Sequence, residues 1–215
     1  MRFSSARGFV GAAAILIAAI PLAPSVAAAG SCPTPFAVAV DTTGSQLYQV
    51  VYDARTLGET FVAEQTLISA ITVFRTPVET PLAQPLTLFL SSVDSEGVPI
   101  STNGVEGPTS SFPPSDAVHP AVCRFEFDPP YELPRPGTYF FSVRAGCTGS
   151  AALVVQPNSP YTGGQAWLTK RSFECVLSPV EDGWPDQDLA FTIEFCPLAT
   201  PTTRSTWGRL KQAYR

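Results

Sequence analysis

Residues 123–128 read Cys-Arg-Phe-Glu-Phe-Asp, and this stretch decides the fold class. Cys123, Phe125 and Phe127 are apolar, whereas the residues between them are charged. Because successive side chains point to opposite faces of a β-strand, the pattern predicts a strand with one buried and one solvent-facing side. Half-buried strands of this kind are typical of antiparallel sheets.

The same alternation recurs along the chain on both sides of that strand. Turn residues separate the runs, and the chain holds 22 Pro and 15 Gly. We expect Asp128-Pro129-Pro130 to end a strand and residues 98–120 to form a long surface loop. The sequence therefore predicts an all-β fold, a single antiparallel two-sheet β-sandwich with jelly-roll topology favoured. The other β-prone runs are 36–40, 47–52, 60–62, 67–74, 86–90, 139–143, 151–155, 166–169 and 191–195.

The N-terminal residues 1–29 have the pattern of an export signal. Arg2 and Arg7 precede an apolar run that ends in small residues, with Ala27 and Ala29 placed as a signal peptidase site requires. The run is too short for a comfortable membrane span. We therefore expect a chain that begins at Gly30, has no transmembrane span, and is secreted or displayed at the cell surface, with the periplasm as an alternative.

The rest of the chain divides into a sandwich domain, residues 30–197, and a C-terminal segment, residues 198–215. The first part of that segment is a linker rich in Thr and Pro. The last nine residues place Trp207, Leu210 and Tyr214 on one face of a short helix, and nine residues cannot hold a helix alone in water. The tail must therefore dock on something to be ordered. Its basic residues, mostly on other faces, are Arg209, Lys211 and Arg215.

The charge balance excludes one class of partner. The chain has 13 basic and 18 acidic residues, for a net charge of −5. Because binding to phosphate backbones needs a basic face, this balance argues against nucleic acid. We expect an extracellular glycan or another surface protein as the partner.

The five cysteines are predicted to be structural. None forms a Cys-x-x-Cys pair, and with a single histidine a zinc site is not expected. Cys32 precedes the first strand and Cys196 ends the last, so we expect these two to form a bridge. Two predicted hairpins are flanked by the remaining cysteines, one by Cys123 and Cys147 and the other by Cys147 and Cys175. These three cysteines should therefore cluster, and distance rules allow one bridge among them. We favour Cys147–Cys175, which leaves Cys123 free and buried. In an alternative, Cys32 carries a lipid anchor, because the residues before it loosely resemble a lipobox.

Residues 45–196 resemble a known family at four short segments. The first is Gly58-Glu59-Thr60-Phe61-Val62-Ala63, followed by the strand 67–74, and the second is residues 86–90 with the turn 94–99. The third is Phe125-Glu126-Phe127-Asp128-Pro129-Pro130, then Leu133 and residues 136–139. The fourth is residues 158–164, closed by Trp184 and residues 188–191. The likeness is to exported bacterial β-sandwich domains described as choice-of-anchor domains. It implies a sandwich fold and surface location without a general ligand. The ending Trp-Gly-Arg-Leu-Lys-x-x-Tyr-Arg is similar to C-terminal tails of other exported bacterial proteins.

Two loops carry candidate binding residues. Asp182, Asp186 and Asp188 lie within one acidic turn, where carboxylates could hold calcium; the alternative is a solvated turn in which Asp188 bonds the backbone. No other cofactor is expected. Tyr161 and Trp184 lie in loops and could form an aromatic platform for a sugar, or could instead pack structurally.

Enzymatic motifs are lacking in the sequence. His119 is the only histidine, and no Gly-x-Ser-x-Gly, His-Glu-x-x-His or phosphate-loop pattern occurs. We therefore expect a secreted or surface-displayed, non-catalytic β-sandwich with a structural or recognition role. A carbohydrate-binding module is the main alternative. A glycoside-active enzyme is a weaker one, since such an enzyme needs only two carboxylates.

Overall fold

The computed structural model describes residues 36–43, 47–52, 55–77, 85–111, 118–146, 149–158, 160–170 and 180–197. The predicted export signal, Cys32, Cys147, Cys175 and the whole C-terminal segment 198–215 lie outside these residues. Within them the chain forms thirteen strands and one 3₁₀ turn, Ser101–Asn103. The strands are β1 (Phe36–Val40), β2 (Leu47–Tyr52), β3 (Arg55–Ala63), β4 (Leu67–Arg75), β5 (Leu86–Ser92), β6 (Val105–Ser110), β7 (Ala121–Glu132), β8 (Gly137–Ala145), β9 (Ser150–Pro157), β10 (Ala166–Lys170), β11 (Val180–Trp184), β12 (Gln187–Leu189) and β13 (Phe191–Cys196).

The strand pairing confirms the all-β, antiparallel fold class. Every recorded strand pair is antiparallel, and hydrogen bonds join the thirteen strands into one network. Two sets of neighbours stand out: a first group, β1-β13-β4-β7, and a second group, β6-β5-β8-β3-β10-β11. Strands β2, β9 and β12 connect them. Because the network is continuous, the two-sheet sandwich and its jelly-roll topology stay predictions.

The hydrophobic core lies where the two strand groups meet. The ring of Phe61 on β3 is 6.4 Å from that of Phe195 on β13, and Phe141 on β8 is 5.5 Å from Phe191. All four side chains are fully buried. Burying a large apolar side chain stabilises a fold by about 1.5–3 kcal/mol, so these inward positions of the alternating pattern hold the groups together.

Two predicted boundaries are wrong, both because the strands involved have only one paired neighbour. Strand β7 does not end at Asp128 but continues through Pro129 and Pro130 to Glu132. The predicted surface loop 98–120 contains strand β6. Within the described residues, β7 pairs only with β4 and β6 only with β5. A strand with an unpaired side tolerates proline, since the missing N–H can face away from the ladder.

The predicted hairpins around the cysteines are also wrong. Strand β7 pairs with β4, whereas β8 pairs with β3 and β5. Likewise β9 pairs with β2 and β12, whereas β10 pairs with β3 and β11. Neither β7 and β8 nor β9 and β10 pair with each other, so the hairpin argument for bridging Cys147 with Cys175 is lost. The bridge itself lies outside the described residues.

The two described cysteines differ in state. Cys123 is free, buried and in contact with the core, as the sequence predicts. Burial raises the pKa of its thiol to about 11. Cys196, at the end of β13, is buried and disulfide-bonded. Its predicted pairing with Cys32 stays a prediction, because Cys32 lies outside the described residues.

Candidate functional site

A groove runs between β6 and β7, the two outer strands of the groups. It encloses about 250 Å³. A second depression of about 120 Å³ adjoins it and shares Leu90, Val105 and Tyr131 with it. We call the larger one the β6–β7 groove. It is lined by Leu90, Val105, Glu106, Gly107, Pro108, Glu126, Phe127, Asp128, Pro129 and Tyr131.

Two aromatic rings form the apolar part of the β6–β7 groove. The rings of Phe127 and Tyr131 lie 5.7 Å apart at 43° to each other, and both side chains are half-buried against the core. Phe127 continues the inward-facing series of Cys123 and Phe125, but it lies at the edge of the core and keeps part of its ring accessible. Rings placed in this way offer a stacking surface to a ligand.

Gly107 lets β6 approach these rings closely. A Cβ at this position would lie 3.3 Å from the backbone oxygen of Leu88 and 3.5 Å from the Phe127 ring. The first distance is tighter than ordinary van der Waals contact, so a larger side chain would push β6 away from β5. The glycine therefore allows the close packing of β6 against Leu88 at this point of the groove.

Three carboxylates give the β6–β7 groove its negative charge. Glu106, Glu126 and Asp128 line it, and no basic residue is among the described residues that do. Glu126 accepts a hydrogen bond of 2.9 Å from Nε of Arg124. Glu106 and Asp128 have no salt bridge within the described part of the chain. The two carboxylates without a counter-ion make the groove suitable for a neutral or cationic ligand.

Arg124 lies outside the groove lining and pairs with two carboxylates, that of Glu126 in the lining and that of Glu194 outside it. Its guanidinium also donates to both carboxylate oxygens of Glu194 on β13. This pairing lowers the pKa of Glu194 and raises that of Arg124. Because both side chains are partly solvated, we assign these ion pairs a modest structural role, which is usual for surface pairs.

The structure places Tyr161 in a set of structural contacts. Its ring meets Phe191 edge-on at 5.4 Å, and its hydroxyl oxygen accepts a hydrogen bond of 3.1 Å from the backbone N–H of Val62. Burial raises the pKa of this hydroxyl. The predicted loop position of Trp184 is wrong: it ends strand β11 and packs partly buried against the core. These contacts favour structural packing, one of the two alternatives that the sequence leaves open.

The three aspartates of the acidic turn are not brought together as a metal centre. Asp182 and Asp186 are exposed, whereas Asp188 is fully buried. Among the described residues, no group of three or more His, Cys, Asp or Glu side chains is placed to hold a metal ion. Asp188 Oδ2 instead accepts a hydrogen bond of 2.6 Å from the backbone N–H of Tyr161. This backbone contact agrees with the alternative to calcium that the sequence leaves open.

Glu59 is the residue that sequence reasoning missed. It is fully buried on β3, and its Oε2 accepts a hydrogen bond of 2.9 Å from the Leu189 N–H. Desolvation by burial raises the pKa of Glu59 well above its usual value. The hydrogen bond from Leu189 lowers this pKa. The charge of Asp188 and a hydrogen bond between the two side chains raise it. Its other oxygen, Oε1, is buried without a hydrogen-bond partner among the described residues.

The Glu59–Asp188 pair has a structural function. Both residues are 0% exposed, so neither can touch a substrate in this conformation. Together they connect β3, β12 and the loop that carries Tyr161. A signal for the pair was present in the sequence, because Glu59 shares the core-facing side of its strand with Leu57 and Phe61. An acid in the middle of such a series indicates a buried polar contact.

Comparisons with known proteins do not identify a family. No family model matches the chain, and no curated protein matches it. Among solved structures, the chain is similar to the cysteine protease and lectin-like domains of Cwp84, a surface-layer-associated protein of Clostridium difficile, with a TM-score of 0.42 and 8% sequence identity. The match covers 66% of this chain and 32% of that chain. The chain thus spans about a third of that structure, and a likeness this low supports no functional argument. In the described residues, no helix is long and apolar enough to cross a membrane.

Proposed function

We propose that this protein is a non-catalytic recognition module of the cell exterior that binds its ligand in the β6–β7 groove. One observation carries the proposal: two half-exposed rings, Phe127 and Tyr131, lie beside two carboxylates without counter-ions, Glu106 and Asp128. Convergent aromatic and polar groups in a concave surface are typical of binding sites. The export signal and the resemblance to choice-of-anchor domains support an extracellular location.

The chemistry of the groove favours one class of ligand. Its carboxylates disfavour an anion, accept hydrogen bonds from hydroxyl groups and attract cations. A ring face beside such acceptors suits the end unit of a neutral glycan, which supports the carbohydrate-binding alternative. The volume of about 250 Å³ is smaller than that of most sites for drug-sized molecules, so the groove fits a small group rather than a long chain.

The proposal is tested by measuring binding to immobilised neutral oligosaccharides and to basic peptides. Tyr131→Ala should weaken binding by at least about tenfold, since truncating a central aromatic residue usually costs more than about 1.4 kcal/mol. The matched control is Tyr52→Ala, because Tyr52 is also partly exposed but lies on β2, outside the groove. Equal losses in the two variants would contradict a site in the groove.

The enzymatic alternative has a different signature. A glycosidase would cleave the glycan, and a single carboxyl substitution would stop cleavage while leaving binding nearly intact. Product analysis by mass spectrometry should therefore find no cleavage by the wild-type protein. Cleavage that stops on Glu106→Gln or Asp128→Asn would overturn the non-catalytic proposal.

A further inference from the structure

The C-terminal tail, residues 204–215, needs a surface on which to dock, and the chain itself provides one. We propose that this tail docks in the β6–β7 groove of its own chain and competes there with the external ligand. The inference rests on the proposed function, because it assumes that the groove is the binding site. Three observations support it: where the described chain ends, the charge of the two surfaces, and the size of the groove.

The described chain ends close to the groove. Phe195, near the end of β13, pairs with Ile68 on β4, and Ile68 pairs with Tyr131 on β7. Neighbouring strands lie about 4.8 Å apart, so the end of β13 is roughly 10 Å from the backbone of Tyr131. The six residues 198–203 can span up to roughly 20 Å when extended. The tail can therefore reach the groove without disturbing any strand.

The charges of the two surfaces are complementary. Residues 204–215 contain four basic side chains and no acid: Arg204, Arg209, Lys211 and Arg215. The groove contains three carboxylates, two of which have no salt bridge within the described residues, and none of its described lining residues is basic. In an otherwise acidic chain, the basic tail and this groove are therefore matched partners.

The apolar residues of the tail match the remaining part of the site. Trp207, Leu210 and Tyr214 recur at helical spacing, and the groove offers the rings of Phe127 and Tyr131. A groove of about 250 Å³ can take a small number of side chains rather than an entire helix. One aromatic anchor held between rings, with carboxylates around it, is a common arrangement at interfaces.

Linkage through a short segment makes the contact effective even if it is weak. A flexible linker of this length gives an effective concentration in the millimolar range. A tail with an intrinsic Kd of about 100 μM would then occupy the groove about 90% of the time and weaken an external ligand by about tenfold. An external ligand would thus have to compete with the docked tail for the groove.

The first test measures amide hydrogen exchange of residues 204–215 in the full chain. Exchange should be slowed about tenfold in the wild type at low salt and should lose that protection in Glu106→Lys. Glu96→Lys is the matched control, since Glu96 is exposed and lies outside the groove. Combining Glu106→Lys with the tail variant Arg209→Glu/Lys211→Glu should restore protection, because the swap re-creates opposite charges. Fast exchange of the tail in the wild type would overturn the inference.

The second test uses a fluorescent synthetic peptide with the sequence of residues 204–215. The full chain carrying Arg209→Glu/Lys211→Glu should bind this peptide about tenfold more tightly than the wild type, in which the groove is occupied. Equal affinity for both chains would overturn docking in cis. A sedimentation mass that rises with concentration and falls in Arg209→Glu/Lys211→Glu would assign the contact to a second copy and overturn it as well.

The two proposals can fail separately. If a glycan binds and is lost on Tyr131→Ala while the tail is unprotected, the recognition function stands and the tail inference fails. If the tail is protected but the tail variant binds neither a glycan nor any basic peptide other than the 204–215 sequence itself, the recognition function fails and only the internal contact remains.

Discussion

At the scale of single residues, Glu59 shows how burial changes the chemistry of a side chain. It lies among Leu57, Phe61 and other core residues, where ionisation would be costly without a counter-ion. The neighbouring Asp188 adds a second carboxyl instead of a positive charge. We therefore infer that the folded protein keeps a proton on Glu59 where an exposed glutamate has lost it.

Stability should consequently depend on pH through Glu59. The pKa of Glu59 is higher in the folded than in the unfolded chain. Its contribution to folding stability is therefore fully present below about pH 4.5 and is lost as the pH rises through the folded pKa. Glu59→Gln retains a donor for Asp188 and cannot ionise. The variant should gain stability relative to the wild type, by up to about 1.4 kcal/mol per pH unit within that window.

Urea unfolding from pH 4 to pH 9 measures this difference. Glu96→Gln is the control, because it makes the same substitution at an exposed turn residue outside the core. Parallel stability curves for the wild type and Glu59→Gln would show that the buried carboxyl is not protonated.

At the scale of strands, the contact between β3 and β8 depends on the absence of a side chain at one position. A Cβ on Gly58 would lie 2.0 Å from the backbone oxygen of Phe141 and 2.6 Å from the Phe140 ring. Both neighbours are buried and belong to the paired strand. Neither can move without separating the two strands.

Gly58→Ala should therefore destabilise the protein by about 3 kcal/mol or more. Gly97→Ala is the comparison: Gly97 has φ of 83° but nothing within 4 Å of a Cβ, so only local strain of about 1–2 kcal/mol is expected. Thermal and urea denaturation give both values. A loss in Gly58→Ala no greater than in Gly97→Ala would contradict the close approach of β3 and β8.

At the scale of the whole molecule, the state of the cysteines links the fold to the compartment. Cys196 is disulfide-bonded, and Cys123 is free and fully buried. Export to an oxidising compartment allows bridges to form. If Cys32–Cys196 and Cys147–Cys175 both form, Cys123 is the one thiol left in a chain that begins at Gly30. If Cys32 instead carries a lipid, the number of cysteines available for bridges falls from five to four.

Thiol alkylation followed by intact-mass analysis should find one free thiol in the unfolded, unreduced protein and none reacting in the folded protein. Burial raises the pKa of the folded thiol to about 11, which alone lowers the thiolate fraction about a hundredfold at neutral pH. Cys123→Ala should abolish the labelling. Two or more labelled thiols would contradict the predicted bridges. The intact mass from the same experiment also shows whether the chain begins at Gly30.

Most strands could be predicted from local sequence, although β6, β11 and β12 were not, and the strand partners could not be predicted. Alternating residues such as Cys123, Phe125 and Phe127 determine a strand and its buried face, because side-chain direction depends only on neighbours in the chain. Strand β6 escaped prediction because Gly107 and Pro108 resemble loop residues, although an outer strand accepts them. The hairpin between β7 and β8 was wrong because pairing depends on contacts that are distant in sequence.

The same division applies to the candidate site. The sequence by itself determined the all-β class, the acidic balance and the basic, aromatic tail, all of which are properties of composition and spacing. Only the tertiary structure decided that Phe127 and Tyr131 line a groove beside Glu106, and that Glu59 meets Asp188 across β3 and β12. Such meetings follow from which strands lie side by side, and that choice is made by long-range burial rather than by local propensity.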